Sequence, residues 1–193
     1  MFKDKAPDYG LIHLAMHGTA DNENPLYSKL IFGETPDTLE DNLLHTYELY
    51  NLHLNARMAV LSACETGYGK FIQGEGVLSL ASGFLHTGCP SVTMSLWEAQ
   101  DAATASIMAY YYENLALGKP KDIALQNAKL KYLEAPASQK HPFYWAAFVN
   151  IGDNSPLIRP SFWSSWWARG LALGLGLGIL ILVFMKMGGN GKP

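Results

Sequence analysis

The sequence predicts an α/β fold built on a mostly parallel β-sheet. Three short apolar runs, residues 9–16, 56–63 and 90–97, recur along the chain, and the first two end in loops that contain glycine. Nearly continuous apolar runs of this length are typical of strands that are covered on both faces, as in parallel sheets. With 193 residues, the chain has room for one domain with a substantial core and a tail.

Helical spacing of apolar residues accounts for most of the remaining segments. We expect a helix over residues 75–86, which completes a strand-helix-strand unit with the second and third apolar runs. Residues 101–118 and 120–133 predict two further helices, the second with proline in its first turn. The other expected elements are a short strand over 26–32, a short helix over 46–54, and one more strand or a buried connection over 142–151.

The C-terminal segment predicts a membrane anchor. Residues 162–186 are mostly apolar, rich in tryptophan and glycine, and carry only two charges, Arg169 and Lys186. We therefore expect a single membrane-spanning helix there, after a linker over 153–161 and before a polar tail over 187–193. The alternative, a buried helix, is disfavoured by Gly174, Gly176 and Gly178, because glycine is a poor residue for the interior of a soluble helix. The charges on the two sides are balanced, which leaves the orientation in the membrane open.

Charge and cysteine content exclude several functional classes. The net charge is −3 with acidic and basic residues mixed, so the sequence predicts no binding of nucleic acid. Two cysteines are too few for a disulfide framework, and the N-terminus has no apolar segment that predicts a secretory signal. We expect no cofactor.

A histidine and a cysteine follow two of the predicted strands. His17 comes directly after the first apolar run and Cys64 directly after the second. Functional groups in an open α/β sheet gather beyond the carboxyl ends of its strands, so these side chains converge if the two strands are neighbours. An imidazole beside a thiol accepts its proton and stabilises the nucleophilic thiolate. The alternative is that His17 caps a loop and Cys64 is a small core residue.

Three segments of the chain resemble the CHAT domain, a caspase-like peptidase domain associated with tetratricopeptide repeats. They read HLAMHG, VLSACETGYG followed by GEGVLSLASGFLHTGCPSVTMSLW, and HPFYWAAFVNIG. The resemblance covers roughly residues 9–152 and assigns residues 1–152 to one domain, in which the usual N-terminal strands and helices are missing. It implies a caspase-like, mostly parallel sheet flanked by helices. Either the domain is degenerate, or a partner supplies the missing sheet edge.

The resemblance also implies roles for individual residues. Cys64 would attack the scissile carbonyl, His17 would act as general base and acid, and the backbone N–H groups of Gly18 and Cys64 would form the oxyanion hole. Glu98 and Asp101 stand where related peptidases hold a basic substrate side chain. Alternatively, Glu98 is a solvated charge and Asp101 is the N-cap of the following helix.

The other histidine and cysteine near these motifs have simpler interpretations. His13 lies on the same predicted strand face as His17, and we expect it to be a hydrogen-bonded core residue. Cys89 is expected to be a packed thiol. A zinc site made of these two residues with His17 and Cys64 is disfavoured, because no zinc-binding spacing is present.

Three hypotheses follow. The first is a bacterial, membrane-anchored cysteine endopeptidase that cleaves protein substrates through Cys64 and His17, with a preference for basic residues. The second is a catalytically inactive, membrane-tethered module that binds a tetratricopeptide-repeat protein or another protein through an exposed sheet edge. The third uses the same dyad for acyl transfer or hydrolysis on small thioesters or amides.

Overall fold

The computed structural model describes residues 2–21, 23–33, 41–62, 70–72, 76–78, 80–136 and 138–158. The chain divides into a unit formed by Met1–Leu157 and a second unit, Ile158–Pro193. Only residue 158 of the second unit is described, so the predicted anchor over 162–186 lies outside the described residues.

The central element of the first unit is a four-stranded sheet. Its strands are β1 (Leu11–Leu14), β5 (Met58–Leu61), β8 (Ser91–Ser95) and β9 (Phe148–Gly152), in the spatial order β1-β5-β8-β9. The β1-β5 and β5-β8 pairs are parallel, and β9 joins antiparallel to β8. The predicted mostly parallel sheet is thereby confirmed, and the strands that precede His17 and Cys64 are neighbours.

Helices cover both faces of this sheet. One face packs against α3 (Leu80–His86), while the other packs against α4 (Asp101–Ala116) and α5 (Lys121–Glu134). The side chains of β5 alternate between the two cores, because successive residues of a strand point to opposite faces. Ala59 and Leu61 join the first core, and Met58 and Val60 join the second.

The remaining described elements are short. Helices α1 (Phe2–Lys5), α2 (Thr46–Leu49) and α6 (Pro142–Trp145) each have four residues, and 3-10 turns cover Ala6–Asp8 and Pro25–Tyr27. A second, three-stranded sheet is antiparallel, and a further hairpin pairs two more strands. The second sheet consists of β2 (His17–Thr19), β3 (Lys29–Ile31) and β4 (Leu43–His45), and the hairpin of β6 (Lys70–Ile72) and β7 (Gly76–Leu78).

Several predicted elements differ from the structure. The strand predicted over 26–32 starts only at Lys29, after a 3-10 turn, and the helix predicted over 46–54 ends at Leu49. The segment 142–151 starts with helix α6 and only then forms β9. The first apolar run is not one strand, since β1 ends at Leu14 and His17 starts β2 in the other sheet. The helix predicted over 75–86 begins only at Leu80, and Gly76–Leu78 is a strand. Glycine and β-branched valine have low helix propensity, and a short apolar run does not distinguish a strand from a helix.

Candidate active site

A cleft of about 450 Å³ lies at the carboxyl ends of β1 and β5, beside the first turns of α4. Its lining includes three of the residues predicted for the site: His17, Glu98 and Asp101. They come from β2, from the loop after β8 and from the start of α4. The remaining lining residues are His13, Ala15, Met16, Ser62, Ala99, Thr104, Ala105 and Met108.

His17 reaches the cleft from the small sheet. It is the first residue of β2 and pairs with Ile31 of β3, and its side chain is exposed. The next residue, Gly18, pairs with Leu30 and is half-buried. The imidazole is therefore accessible to a molecule bound in the cleft, as a general base must be.

Cys64, the predicted nucleophile, lies outside the described residues together with the rest of 63–69. The chain just before it is described: β5 ends at Leu61, and the Ser62 N–H donates to the Leu14 carbonyl oxygen at 3.1 Å. Ser62 itself lines the cleft. The contact between His17 and Cys64 and the oxyanion hole of Gly18 and Cys64 accordingly stay predictions.

The two acidic residues give the cleft a negative character. Glu98 and Asp101 are both exposed, and none of the described lining residues is lysine or arginine. Gln100 occupies the N-cap of α4, and Asp101 lies in its first turn. The alternative that Asp101 is the N-cap is therefore wrong, although a carboxylate in the first turn still interacts favourably with the helix dipole.

His13 differs from the expected core histidine. It is hydrogen-bonded, as predicted, but its side chain is exposed and lines the cleft. Its Nε2 lies 3.0 Å from the Ser62 Oγ, and its Nδ1 lies 2.8 Å from the Tyr112 hydroxyl. It also belongs to a different strand and a different sheet from His17, because the chain leaves the large sheet after Leu14.

Sequence reasoning missed three residues of this region: Ser62, Thr104 and Tyr112. His13 pairs with Val60, and Ser62 follows Val60 by two residues, so the contact depends on the register of β1 against β5, which the sequence pattern does not show. Tyr112 lies one helical turn after Met108 on α4, which brings it to the same side of the helix. The buried Thr104 hydroxyl has no hydrogen-bond partner among the described residues.

The second cysteine has the properties of a packed thiol. Cys89 is buried, and its Sγ donates to the Ser91 carbonyl oxygen at 3.3 Å. Burial raises the pKa of the Cys89 thiol, which disfavours the reactive thiolate. The prediction for Cys89 is confirmed.

The described residues contain neither a metal-binding cluster nor a membrane-spanning helix. No group of three or more histidine, cysteine, aspartate or glutamate residues in that part of the chain is arranged to hold a metal ion. None of the helices among the described residues is long and apolar enough to cross a membrane.

The chain is similar to known proteins over most of its length. A family model for the CHAT domain matches residues 2–153. Tetratricopeptide repeat protein 28 from Mus musculus is 29% identical over 123 residues, which are 64% of this chain and 5% of that protein. The Homo sapiens protein of the same name is 30% identical over the same share of each chain. The matched segment is thus a small part of these relatives, and the family model shows that this chain belongs to the CHAT domain family.

Proposed function

We propose that the chain is a cysteine endopeptidase that uses Cys64 as its nucleophile and His17 as its general base and acid. The observation that carries this proposal is the cleft that His17, Glu98 and Asp101 share, next to the end of the strand that leads to Cys64. Membership of the CHAT domain family supports it, because the family resembles caspase-like cysteine peptidases.

The chemistry requires three groups around the scissile peptide bond. The Cys64 thiolate adds to the carbonyl carbon while His17 holds the thiol proton and then delivers it to the leaving amine. The resulting thioester is hydrolysed by a water molecule that His17 deprotonates. Donors from the Gly18 and Cys64 backbone would stabilise the oxyanion in both steps, and glycine at position 18 lets the substrate carbonyl approach the backbone closely.

The charge of the cleft supports a preference for lysine or arginine before the cleaved bond. Glu98 and Asp101 lie in the same cleft as His17, and the described lining contains no lysine or arginine that would neutralise them. A guanidinium or ammonium group forms charge-assisted hydrogen bonds with carboxylates.

Cleavage of a peptide mixture by the full chain tests the proposal. We expect products that end in lysine or arginine, and no cleavage by Cys64→Ala or His17→Ala variants that retain the circular dichroism spectrum of the parent. His53→Ala is the matched control, because His53 is an exposed histidine that is not among the cleft-lining residues. Unchanged cleavage by Cys64→Ala would contradict the proposal.

A second candidate function is a protein-interaction module without catalytic activity. The observation in its favour is the position of β1, which is the outermost strand of the four-stranded sheet among the described residues. An apolar groove of about 420 Å³ lies beside this strand and is lined by Phe2, Tyr9 and Phe32, among others. An edge strand offers unpaired backbone groups to a strand of a partner. This function predicts partner binding that is unaffected by Cys64→Ala.

We propose that residues 162–186 attach the chain to a membrane, whether it acts as a peptidase or as an interaction module. The apolar composition and the three tryptophans of this segment support the proposal. Deletion of residues 159–193 should release the chain from membranes into the soluble fraction. Retention of the shortened chain on membranes would contradict the anchor.

A further inference from the structure

A second set of side chains in the cleft has the geometry of an activated nucleophile. The Ser62 Oγ lies 3.0 Å from His13 Nε2, and the Tyr112 hydroxyl lies 2.8 Å from His13 Nδ1. Histidine activates a serine in an arrangement of this kind. The nucleophile lies within hydrogen-bond distance of the base, and the base lies within hydrogen-bond distance of a third group that orients it. Packed secondary structure holds two of the three groups, because His13 lies within β1 and Tyr112 within α4, while Ser62 directly follows β5.

We propose that Ser62 is an acyl-accepting serine, with His13 as its general base and Tyr112 as a positioning residue, and that this site hydrolyses esters and thioesters. The proposal goes beyond the peptidase function, because it uses a different nucleophile and a different histidine. Ser62 and His13 both line the cleft of about 450 Å³, so a substrate bound there has access to both.

The state of His13 suits a general base. Partial burial lowers the pKa of His13 below its ordinary value, so the ring is neutral at pH 7. With the proton on Nδ1, the ring donates to the Tyr112 oxygen and Nε2 accepts from the Ser62 hydroxyl. Burial also raises the pKa of Tyr112 well above its ordinary value, so its hydroxyl stays neutral at that pH.

The neutral tyrosine limits the class of substrate. A carboxylate in this position stabilises the imidazolium that forms when histidine takes the serine proton, whereas a neutral hydroxyl gives less stabilisation. His13 is therefore a weak base, and the site requires an acyl group with a good leaving group. Thioesters and aryl esters satisfy this requirement. Ala15, Met16 and Met108 supply apolar surface in the cleft for the acyl chain.

The reaction needs no further reagent than water. The Ser62 oxygen forms a bond to the acyl carbon while His13 Nε2 takes the hydroxyl proton, and the bond to the leaving thiolate or aryloxide breaks. The leaving group departs with the proton from His13. A water molecule then gives a proton to His13 and its oxygen to the acyl carbon, and Ser62 recovers its proton as the carboxylic acid is released.

Labelling with a fluorophosphonate, which phosphonylates activated serines, tests the proposal on the full chain. Intact mass and peptide mapping should give one adduct, on Ser62, both in the parent chain and in Cys64→Ala, which lacks the proposed peptidase nucleophile. His13→Gln should slow labelling by about 100-fold or more, the size of a lost general base. Tyr112→Phe should slow it by a smaller factor. Ser106→Ala is the control, because the Ser106 hydroxyl is bonded to the Ala102 carbonyl oxygen within α4 and should not affect labelling.

The pH dependence of the labelling rate can be measured in the unmutated chain, so this test does not require that any variant folds. The rate should rise with pH through an inflection below about 6.5, the ordinary histidine value. Other titratable groups share a cavity with His13: His17, Glu98 and Asp101 line the same cleft, and Lys5 and Tyr9 line the groove beside β1. A Ser62 adduct that forms in Cys64→Ala and depends on His13 supports the proposal even if peptidase activity is absent. No adduct on Ser62 in a folded chain, or a labelling rate that is independent of pH, would overturn it.

Discussion

The large and small sheets differ in how deeply their strands are buried. Every residue of β5 and β8 in the large sheet is buried, and two helical layers cover the sheet. In the small sheet, Leu30 and Leu44 are buried, whereas β2, which carries His17, has no fully buried residue. Residues that act on substrates often belong to the less stable parts of a fold, because they must be accessible and adjustable. The difference indicates that the large sheet supports the cleft and the small sheet presents His17 to it.

The largest effect on stability should come from the core of the large sheet. Phe84 of α3 is fully buried in the first core, so Phe84→Ala should lower the free energy of unfolding by about 3–5 kcal/mol. Urea unfolding measures this change. Leu130→Ala is the control, because Leu130 is exposed on α5 and its removal should cost at most about 0.5 kcal/mol. Equal losses in the two variants would contradict the assignment of the core.

The second prediction concerns the small sheet. Leu30 is fully buried and pairs with Gly18 beside His17, so Leu30→Ala should destabilise the protein by about 2–5 kcal/mol and should impair cleavage as well. Hydrogen exchange should rise first in β2, β3 and β4, and only later in β5 and β8. A uniform rise across both sheets would mean that they unfold as one unit.

The third prediction separates substrate binding from catalysis. The double variant Glu98→Gln/Asp101→Asn should lower kcat/KM for substrates with lysine or arginine before the cleaved bond by about tenfold, mainly through KM, because it removes charge-assisted hydrogen bonds. A matched substrate with norleucine at that position should be cleaved at an unchanged rate. Glu134→Gln, a change at an exposed carboxylate on α5, serves as the control. Equal losses for the basic and norleucine substrates would contradict a charge-based preference.

The smallest expected effect is a pH dependence of stability. Burial lowers the pKa of His13 in the folded state, so the unfolded chain binds more protons there at mildly acidic pH. The neutral ring thus contributes stability that is fully present above the unfolded pKa and is lost as pH falls through the lowered folded value. His13→Gln should flatten the acid side of the curve of unfolding free energy against pH. If the parent chain and His13→Gln gave the same curve of unfolding free energy against pH, His13 would not contribute to the pH dependence of stability.

The sequence predicted those parts of the fold that depend on local pattern. The apolar runs around Met58–Leu61 and Ser91–Ser95 predicted two buried strands, and helical spacing of apolar residues predicted α4 and α5. A strand buried on both faces has a continuous apolar run, and a helix buried along one stripe has apolar residues at helical spacing. The end of β1 after Leu14 is not visible in the pattern of apolar residues. It arises because β2 pairs with β3 in another sheet, which is a tertiary contact.

The candidate site shows the same division. His17, Glu98 and Asp101 were identified from motifs, and they line one cleft. The contact between His13 and Ser62 depends on the register of β1 against β5, and the contact of His13 with Tyr112 depends on how α4 packs on the sheet. Sequence periodicity carries neither the register nor the packing, so this triple could not be predicted from one chain.

Covalent labelling of the full chain with an arginyl chloromethyl ketone tests whether His17 activates Cys64 in a cleft that accepts a basic side chain. If the small sheet presents His17 to a cysteine in a cleft that accepts a basic side chain, intact mass and peptide mapping should give one adduct, on Cys64. His17→Ala should abolish the adduct, Glu98→Gln/Asp101→Asn should slow its formation, and His53→Ala should leave it unchanged. Labelling of Cys64 at the parent rate in His17→Ala, or no adduct in a chain with native circular dichroism, would contradict the claim.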